Sequence, residues 1–289
     1  MSSVAIKAQS PGIWAKTLEY IRRHPTVAIG LGVLLLMTII ALLAPLITGD
    51  PFRLTPIKRL KPPSEDFWFG TDFLGRDVFA RTIHGSQISL MVGGAVAAIS
   101  TFIGLLIGLV AGYVRWVDAI VMRIMDGLMA IPGVLLAIAL ISLAGASLMN
   151  VIIAICVPEI PRVVRLVRSV VLTIREQPYV EAAISVGSPL HKILFRHILP
   201  NTVAPLIVQA TYVCASAVVI EAILSFLGAG TPPEIPSWGN IMAEGRTYFQ
   251  IAPWIIFFPG VLLAVTVLAV NVLGDGLRDS LDPRIARRM

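Results

Sequence analysis

Charged residues are scarce in this chain of 289 residues. Asp, Glu, Lys and Arg make up 14% of the sequence, against roughly 25% in an ordinary soluble domain, while 56% is hydrophobic. Mean hydropathy reaches +0.85. The scarcity excludes a soluble globular domain and predicts an integral membrane protein. The net charge of +6 is dispersed between apolar runs, which argues against nucleic acid as a partner.

The sequence has few cysteines and lacks the motif of a nucleotide-phosphate-binding loop. Cys156 and Cys214, the two cysteines, both fall in apolar stretches, so neither a disulfide framework nor a metal site is expected. None of the lysines follows a glycine, so the chain lacks the Gly-Lys of a phosphate-binding loop. The acids of the apolar stretches have no Ser-His or Asp-Asp pattern around them. We therefore predict no catalytic residues, and any ATP-driven work must use a partner chain.

Long apolar runs dominate what is present. The runs that lack Asp, Glu, Lys and Arg are 25–48, 85–114, 127–158, 201–220 and 247–274. A bilayer core needs about 20 apolar residues of helix, so these runs are long enough to cross it. The third is too long for one crossing and is broken at 145–150, so it supplies most of one helix and the start of the next. Its Ile131-Pro132-Gly133 sequence predicts a kink. The fold class predicted is all-α, an integral membrane protein with six transmembrane helices.

Basic charge predicts how these helices are oriented. Most of the 23 lysines and arginines lie in segments on the same side as the N-terminus, and basic segments favour the cytoplasm. Both termini are therefore predicted to be cytoplasmic. The predicted organisation is a cytoplasmic tail at 1–24, a first transmembrane helix at 25–48, an outer loop at 49–84, a five-helix core at 85–276 and a cytoplasmic tail at 277–289. Within the core, 172–200 is a cytoplasmic segment and 229–250 an outer loop.

An acid interrupts the fourth predicted span. Glu159 stands between Pro158 and Pro161, nine residues beyond Asn150, which places it roughly 13 Å deep at about 1.5 Å per residue. Charge at that depth is costly and usually faces a cavity or a partner. Glu159 is therefore a candidate pathway or gating residue. The alternative is an acid neutralised by a neighbouring arginine at a helix interface.

A second acid lies toward the far end of the fifth span. Glu221 follows Asn201 by 20 residues, or about 30 Å of helix, which predicts a position near the outer face. There it lines the pathway or its outer gate, or it is hydrated at the membrane interface. Ser225 and Phe226, about one turn further on, are candidates for the same pathway or gate.

Residues 172–200 form a polar, cationic interruption between spans. Apolar positions at helical spacing predict a short amphipathic helix that ends at Gly187. Ser188 and Pro189 are then expected to cap and begin a second helix, which ends by Pro200. This helix-turn-helix has a slender tip that suits a groove on another protein. The alternative is an interfacial hairpin that lies on lipid.

Five stretches of the sequence carry a resemblance to one family. EAAISVG at 181–187, followed by HILPN at 197–201, resembles the signature of permease subunits of bacterial binding-protein-dependent ABC importers, in the dipeptide, oligopeptide and nickel branch. Three further stretches are similar to that branch: FGTDFLGRD at 69–77, LSFLGAGTPPEIPSWGNIM at 224–242 and GDGLRDSLDPR at 274–284. Together with the six-span plan, the resemblance covers almost the whole chain.

The resemblance implies a type I ABC importer permease fold with a coupling helix at 181–187. In that family the coupling helix sits in a cleft of an ATP-binding subunit, so that closure of two such subunits on ATP moves the spans between inward-open and outward-open states. The docking residues carried onto this sequence are Glu181, Ala182, Ala183, Gly187, Ser188 and His191. The outer segments would meet a substrate-binding protein. Candidates for that contact are Asp72, Arg76, Asp77 and Trp238.

The resemblance also implies partners and a setting. We expect a homologous second permease, two ATP-binding subunits that hold ATP and magnesium, a periplasmic or lipid-anchored substrate-binding protein, and membrane lipids. No cofactor is expected on this chain. It would lie in the bacterial inner membrane and pass peptides or related small solutes into the cytoplasm. Nickel, glutathione and opine-type cargo stay open, and a secondary transporter that works without ATP-binding subunits is a further alternative.

Overall fold

Helices dominate the computed structural model, which describes residues 25–281. In chain order they are α1 (Pro25–Leu42), α2 (Val78–Tyr113), α3 (Arg115–Met129), α4 (Gly133–Ala144), α5 (Leu148–Arg175), α6 (Pro178–Ser185), α7 (Leu190–Phe226), α8 (Trp238–Gly245) and α9 (Trp254–Leu281). A short helix at Ala44–Ile47 and 3-10 turns at Pro56–Lys58 and Arg246–Tyr248 lie in the outer segments. The predicted N-terminal tail, 1–24, lies outside the described residues.

Four of these helices, α1, α2, α7 and α9, are long and apolar enough to cross a membrane. The pair α3 and α4 meets the same requirement together but is bent by 89° at the predicted Ile131-Pro132-Gly133 kink. By length and composition, the described residues therefore contain four or five apolar spans, and the predicted count of six is not confirmed. The helix that would complete six is α5, which has 28 residues but carries Glu159 and several arginines. Those charges lower its hydropathy below that of its neighbours.

A close contact between α2 and α5 forms the centre of the bundle. Glycines at four-residue spacing on α2 face valines at the same spacing on α5: Gly104 faces Val163, Gly108 faces Val167, and Gly112 faces Val171. A Cβ atom built on each glycine would lie only 2.5 to 2.7 Å from the Cβ atom of the facing valine. Small residues therefore let the two backbones approach. This close contact places the glycine face of α2 inside the bundle.

Adding one methyl group at this contact should be costly. We expect Gly108→Ala to lower the free energy of unfolding by about 1 to 3 kcal/mol, because an overpacked core must shift to make room. The new Cβ would lie 2.7 Å from the Cβ of Val167 and 3.0 Å from the carbonyl oxygen of Val164. Gly94→Ala on the same helix is the control, since nothing lies within 4 Å of a Cβ there. Equal thermal unfolding midpoints for the two purified variants would contradict the tight contact.

Two helices run further than the sequence predicts. α9 continues as helix past the predicted start of the C-terminal tail at 277, to Leu281, and its Gly276 packs on α1, where a Cβ would lie 2.7 Å from Cγ2 of Val27. The helix after Pro189 does not end by Pro200, since α7 passes that proline and continues to Phe226. A π-helical turn, Leu194–Ile198, precedes Pro200. Its wider hydrogen bonding carries the helix past a residue that has no amide hydrogen.

Candidate functional site

The predicted coupling helix, α6, is attached to the bundle by one buried side chain. Pro178 occupies its first turn, and Val180 is fully buried among the core residues. Glu181 and Ala182 are exposed, and Ala183 is partly exposed. The Glu181 carboxylate has no ion pair or side-chain hydrogen bond within residues 25–281. A rigid helix therefore presents an unpaired acid to the surroundings.

A glycine-dependent turn ends α6. Gly187 has a φ of +78°, its amide donates to the Ile184 carbonyl at 2.8 Å, and the Ser188 amide donates to the Ala183 carbonyl at 3.0 Å. These two bonds satisfy the last carbonyls of the helix, and the positive φ favours glycine. Ser188 thus closes α6 rather than capping α7. The residue before α7 is Pro189, which makes no side-chain capping bond.

Apolar side chains surround this tip. Ile184, Val186 and Leu190 are 47%, 86% and 43% exposed. His191, next along the chain, is exposed as well. The six predicted docking residues therefore lie on one short segment, 181–191, that combines exposed apolar groups with a free carboxylate. Such a surface is typical of a contact with another protein.

Glu159 is buried where α5 meets α7, with its side chain 1% exposed. Nη1 of Arg162 donates to Oε1 of Glu159 at 3.0 Å, and Oγ of Ser216 on α7 donates to the same oxygen at 3.0 Å. These contacts have the geometry expected of an acid neutralised by a neighbouring arginine at a helix interface. The arginine, rather than the acid, is the member of this pair that reaches open space.

Glu221 lies within a group of serines. Oγ of Ser225 donates to its Oε1 at 2.8 Å, and Oγ of Ser89 on α2 donates to its Oε2 at 3.3 Å. Because Glu221 is 0% exposed, the expectation that it is hydrated at the interface is wrong: hydroxyl groups take the place of water. Ser225 is buried beside it. Phe226 stays partly exposed, with the guanidinium carbon of Arg246 5.6 Å from its ring centre.

Two acids and two arginines join the first outer loop and α2 to α8. We call Asp72, Arg76, Arg81 and Glu244 the outer clamp. Arg81 donates to Asp72 Oδ2 at 2.9 Å through Nη1 and to Glu244 Oε1 at 3.0 Å through Nη2. Arg76 contacts the same two acids at 2.6 and 2.7 Å. The side chains of Asp72 and Arg81 are 0% and 2% exposed, while those of Arg76 and Glu244 are 11% and 17% exposed, so two members of this neutralised network are fully shielded from water.

Asp77 and Trp238 also hold the outer segments together. Asp77 accepts a hydrogen bond from the backbone amide of Phe79 at 2.9 Å and so caps α2. Burial raises the pKa of this carboxyl, and backbone hydrogen bonds oppose the rise. Trp238 is 0% exposed and donates its indole hydrogen to the Thr82 carbonyl at 3.0 Å. Contact with a binding protein would therefore fall to the exposed residues around these side chains.

No sequence motif identifies four of the residues that contact one another in these sites. They are Arg81, Glu244, Arg162 and Ser216. One signal was available for the first two. Arg81 and Glu244 are opposite charges in the two outer segments, each close to an apolar run, where buried charge needs a partner. The spacing of Glu159 and Arg162, three residues apart, predicts contact within a helix. Ser216 gives no comparable signal, because a serine in a span is common at helix contacts.

Comparisons with known proteins agree with this architecture. A chain from the solved MetNI methionine ABC transporter, in inward-facing conformations, matches with a TM-score of 0.54 and 21% identity over 70% of this chain and 96% of that chain. The model of binding-protein-dependent transport system inner membrane components matches residues 100–287. The model of the N-terminal transmembrane domain of oligopeptide transport permease C matches residues 12–63. The fold is therefore that of a type I ABC importer permease.

Curated relatives extend the likeness over nearly the full chain. A probable peptide ABC transporter permease protein, y4tQ of Sinorhizobium fredii, is 59% identical over 96% of both chains. The dipeptide permease DppC of Alkalihalophilus pseudofirmus is 41% identical over 94% of this chain and 90% of its own. The glutathione permease GsiD of Pectobacterium atrosepticum is 42% identical over 92% and 89%. This chain belongs to the binding-protein-dependent transport system inner membrane component family. It is a multi-pass, non-catalytic permease subunit of an ABC importer.

Proposed function

We propose that this chain and a similar second permease form the path by which peptides pass from a periplasmic or lipid-anchored binding protein into the cytoplasm. Two ATP-binding subunits, which hold ATP and magnesium, would drive the movement. Peptide is the favoured cargo because the relatives named above, y4tQ and DppC, are named for peptide and dipeptide transport. A glutathione-type cargo, a small peptide derivative, is the second candidate because of GsiD.

The segment 181–191 is the observation that carries the coupling part of this proposal. Its tip is exposed and partly apolar, while Val180 fixes α6 to the core. Beyond the tip, α7 continues without a break as a 37-residue helix to Phe226. A displacement imposed on the tip by an ATP-binding subunit would therefore be carried along α7 to Glu221 and the outer segments. The EAA motif at the tip thus has a direct mechanical connection to the other side of the bundle.

The proposal includes a topology with α5 as the sixth crossing and both termini in the cytoplasm. Placing segment 181–191 in the cytoplasm also places the arginines at the end of α5 and Arg278 of α9 there, as the positive-inside rule favours. The outer clamp then faces the binding protein. Reporter fusions should show residues 65 and 190 on opposite sides of the membrane. A shared side would contradict the topology.

Glu159 is expected to support transport through the arginine that it holds. Glu159→Gln should reduce peptide uptake about tenfold while the assembled transporter is still recovered. A hydrogen bond to a charged group contributes about 1.5 to 3 kcal/mol, and the substitution weakens the bonds from Arg162 and Ser216. Uptake and transporter yield are measured on the same membranes.

The control for this substitution is Glu176→Gln, which changes an exposed acid just beyond the end of α5. It should leave both measurements unchanged. Wild-type uptake of every tested peptide by Glu159→Gln would leave Glu159 a purely structural role. Loss of the assembled transporter would show that the acid is needed for folding rather than for passage.

The cargo itself is tested through the binding protein. We expect the cognate binding protein to co-purify with the assembled transporter, and mass spectrometry of its released ligand should identify peptides. Recovery of glutathione would favour the second candidate. Recovery of a nickel chelate or an opine would overturn the peptide assignment and leave the permease assignment intact.

A further inference from the structure

Arg162 has a half-exposed side chain, although it lies near the middle of the length of the helix bundle. Its side chain is 52% exposed, although the next residue, Val163, packs against Gly104 of α2. Gly104 lies ten residues, or about 15 Å, inside the apolar run 85–114. A guanidinium at that depth is costly when it faces hydrocarbon, so such residues face the bundle interior or a water-filled cavity. The exposed side of Arg162 therefore marks a polar surface.

Open space adjoins this surface. Arg162 and Pro158 of α5 line a cavity of about 180 Å³ together with Pro132 and Gly133, where α3 meets α4. The room arises because the two helices bend by 89° at that point. Broken helices that border a cavity are the places where transporters hold their cargo.

The hydrogen-bonding capacity of Arg162 is only partly used. Nη1 donates to Oε1 and Oε2 of Glu159 at 3.0 and 3.3 Å, whereas Nε and Nη2 have no partner within the described residues. Ser216 holds the same acid from α7. One terminal nitrogen of the guanidinium is thus held while the other donors stay available. A planar guanidinium matches the two oxygens of a carboxylate.

We propose that Arg162 binds the C-terminal carboxylate of a peptide as it passes the cavity beside the α3 and α4 break. This inference rests on the proposed function, because it requires a cargo with a free carboxylate. Glu159 acts as a positioning residue that keeps the guanidinium in place and offsets its charge. That offset suits a passage site, where binding has to permit entry and also release.

The test compares two probes that differ at one group. The complete transporter, with its ATP-binding subunits and binding protein, is reconstituted in proteoliposomes and supplied with trialanine or trialanine amide. Arg162→Lys keeps a positive charge beside Glu159 but removes the planar fork. We expect it to slow ATP-driven trialanine uptake about tenfold and to leave trialanine amide uptake within about twofold of the wild type.

Arg165→Lys is the matched control. Arg165 lies on the same helix with its side chain 44% exposed, but it pairs with Asp126 at 2.5 Å and does not line the cavity. It should leave uptake of both probes unchanged. An equal loss of uptake for both probes in Arg162→Lys, or no loss of uptake for either, would overturn the inference. Trialanine uptake by the wild-type transporter would still support the proposed function in that case. A wild-type transporter that takes up neither probe overturns the peptide cargo, and this inference with it.

Water access to position 162 is a second, cargo-independent test. In a Cys156→Ala, Cys214→Ala background of the assembled transporter, Arg162→Cys should react with a sulfonate-bearing methanethiosulfonate reagent. Phe102→Cys should not react, because Phe102 is a 63% exposed apolar side chain within the same apolar run of α2, and we expect such a surface to contact hydrocarbon rather than water. An unreactive Arg162→Cys would overturn the carboxylate site whatever the cargo, and an Arg162→Cys that reacts supports it.

Discussion

Arg81→Met is expected to lower the free energy of unfolding by about 3 to 5 kcal/mol, because removing one member of a buried charge network leaves its partners uncompensated. Arg81 contacts both acids of the outer clamp, and its side chain is 2% exposed. Methionine preserves much of the volume, so the loss reports charge rather than packing. The thermal unfolding midpoint of the purified chain and its amount in the membrane measure the effect. A deficit of this size is a large part of the total stability of a typical domain.

Two further variants distinguish an effect specific to the outer clamp from a general effect of losing an arginine. Arg246→Met removes an exposed cation that contacts the ring of Phe226, and it should change the midpoint little. Combining Arg81→Met with Glu244→Gln removes one of the two acids that Arg81 contacts, so it should recover part of the lost free energy of unfolding. Arg76 remains to pair with Asp72. A double variant no more stable than the single one would contradict the electrostatic account.

The membrane helices were predictable because their signal is local. An apolar run such as 25–48 or 85–114 has to be a helix in hydrocarbon, since no other arrangement satisfies its backbone within one segment. The kink at Pro132 was predictable for a similar reason, because proline removes a hydrogen bond. The ends of the helices were less predictable. Gly276 could release a chain or pack against a neighbour, and only the position of Val27 on α1 decides between them.

The same difference between local and long-range signals applies to the site residues. The turn at Gly187 was predictable because the glycine and the helix that it closes are adjacent in sequence. The hydration expected of Glu221 as one alternative was wrong, because counting residues gives depth along a helix, while hydration depends on what surrounds the side chain. The surroundings are Ser89 and Ser225, the first of which is 132 residues away in sequence. The outer clamp is similarly long-range, since Arg81 and Glu244 are 163 residues apart.

A chain of contacts links the buried sites to the exposed tip. Glu159 contacts Ser216, and Glu221 lies five residues further along the same helix, α7, which begins at the tip. Glu221 in turn contacts Ser89 of α2, the helix that carries Arg81 of the outer clamp. In the proposed mechanism, a movement of the tip would reach the middle and the other end of the bundle through these hydrogen-bonded groups. Polar contacts inside a packed bundle suit this role because they have discrete arrangements.

Changes at the tip should consequently reduce transport strongly without unfolding the chain. Glu181→Arg reverses an unpaired exposed charge, and placing the wrong charge in an interface costs several kcal/mol. Gly187→Val forces a β-branched residue into a backbone with φ of +78°, which alters the turn although no atom lies within 4 Å of the new Cβ. We expect each substitution to reduce uptake at least about tenfold, the factor that corresponds to about 1.4 kcal/mol. ATP hydrolysis should no longer follow the arrival of loaded binding protein.

Matched controls show whether the location, rather than the type of change, causes the loss. Glu65→Arg reverses an exposed acid of the first outer loop, and Gly32→Val changes a glycine of α1 that has equally open surroundings. Both should retain uptake and coupling. The amount of each variant inserted in the membrane is measured in parallel, because a docking surface can be lost while insertion stays normal. Unimpaired uptake in Glu181→Arg and Gly187→Val would remove segment 181–191 from the coupling mechanism, since no ATP-binding subunit that relies on this tip could tolerate both changes.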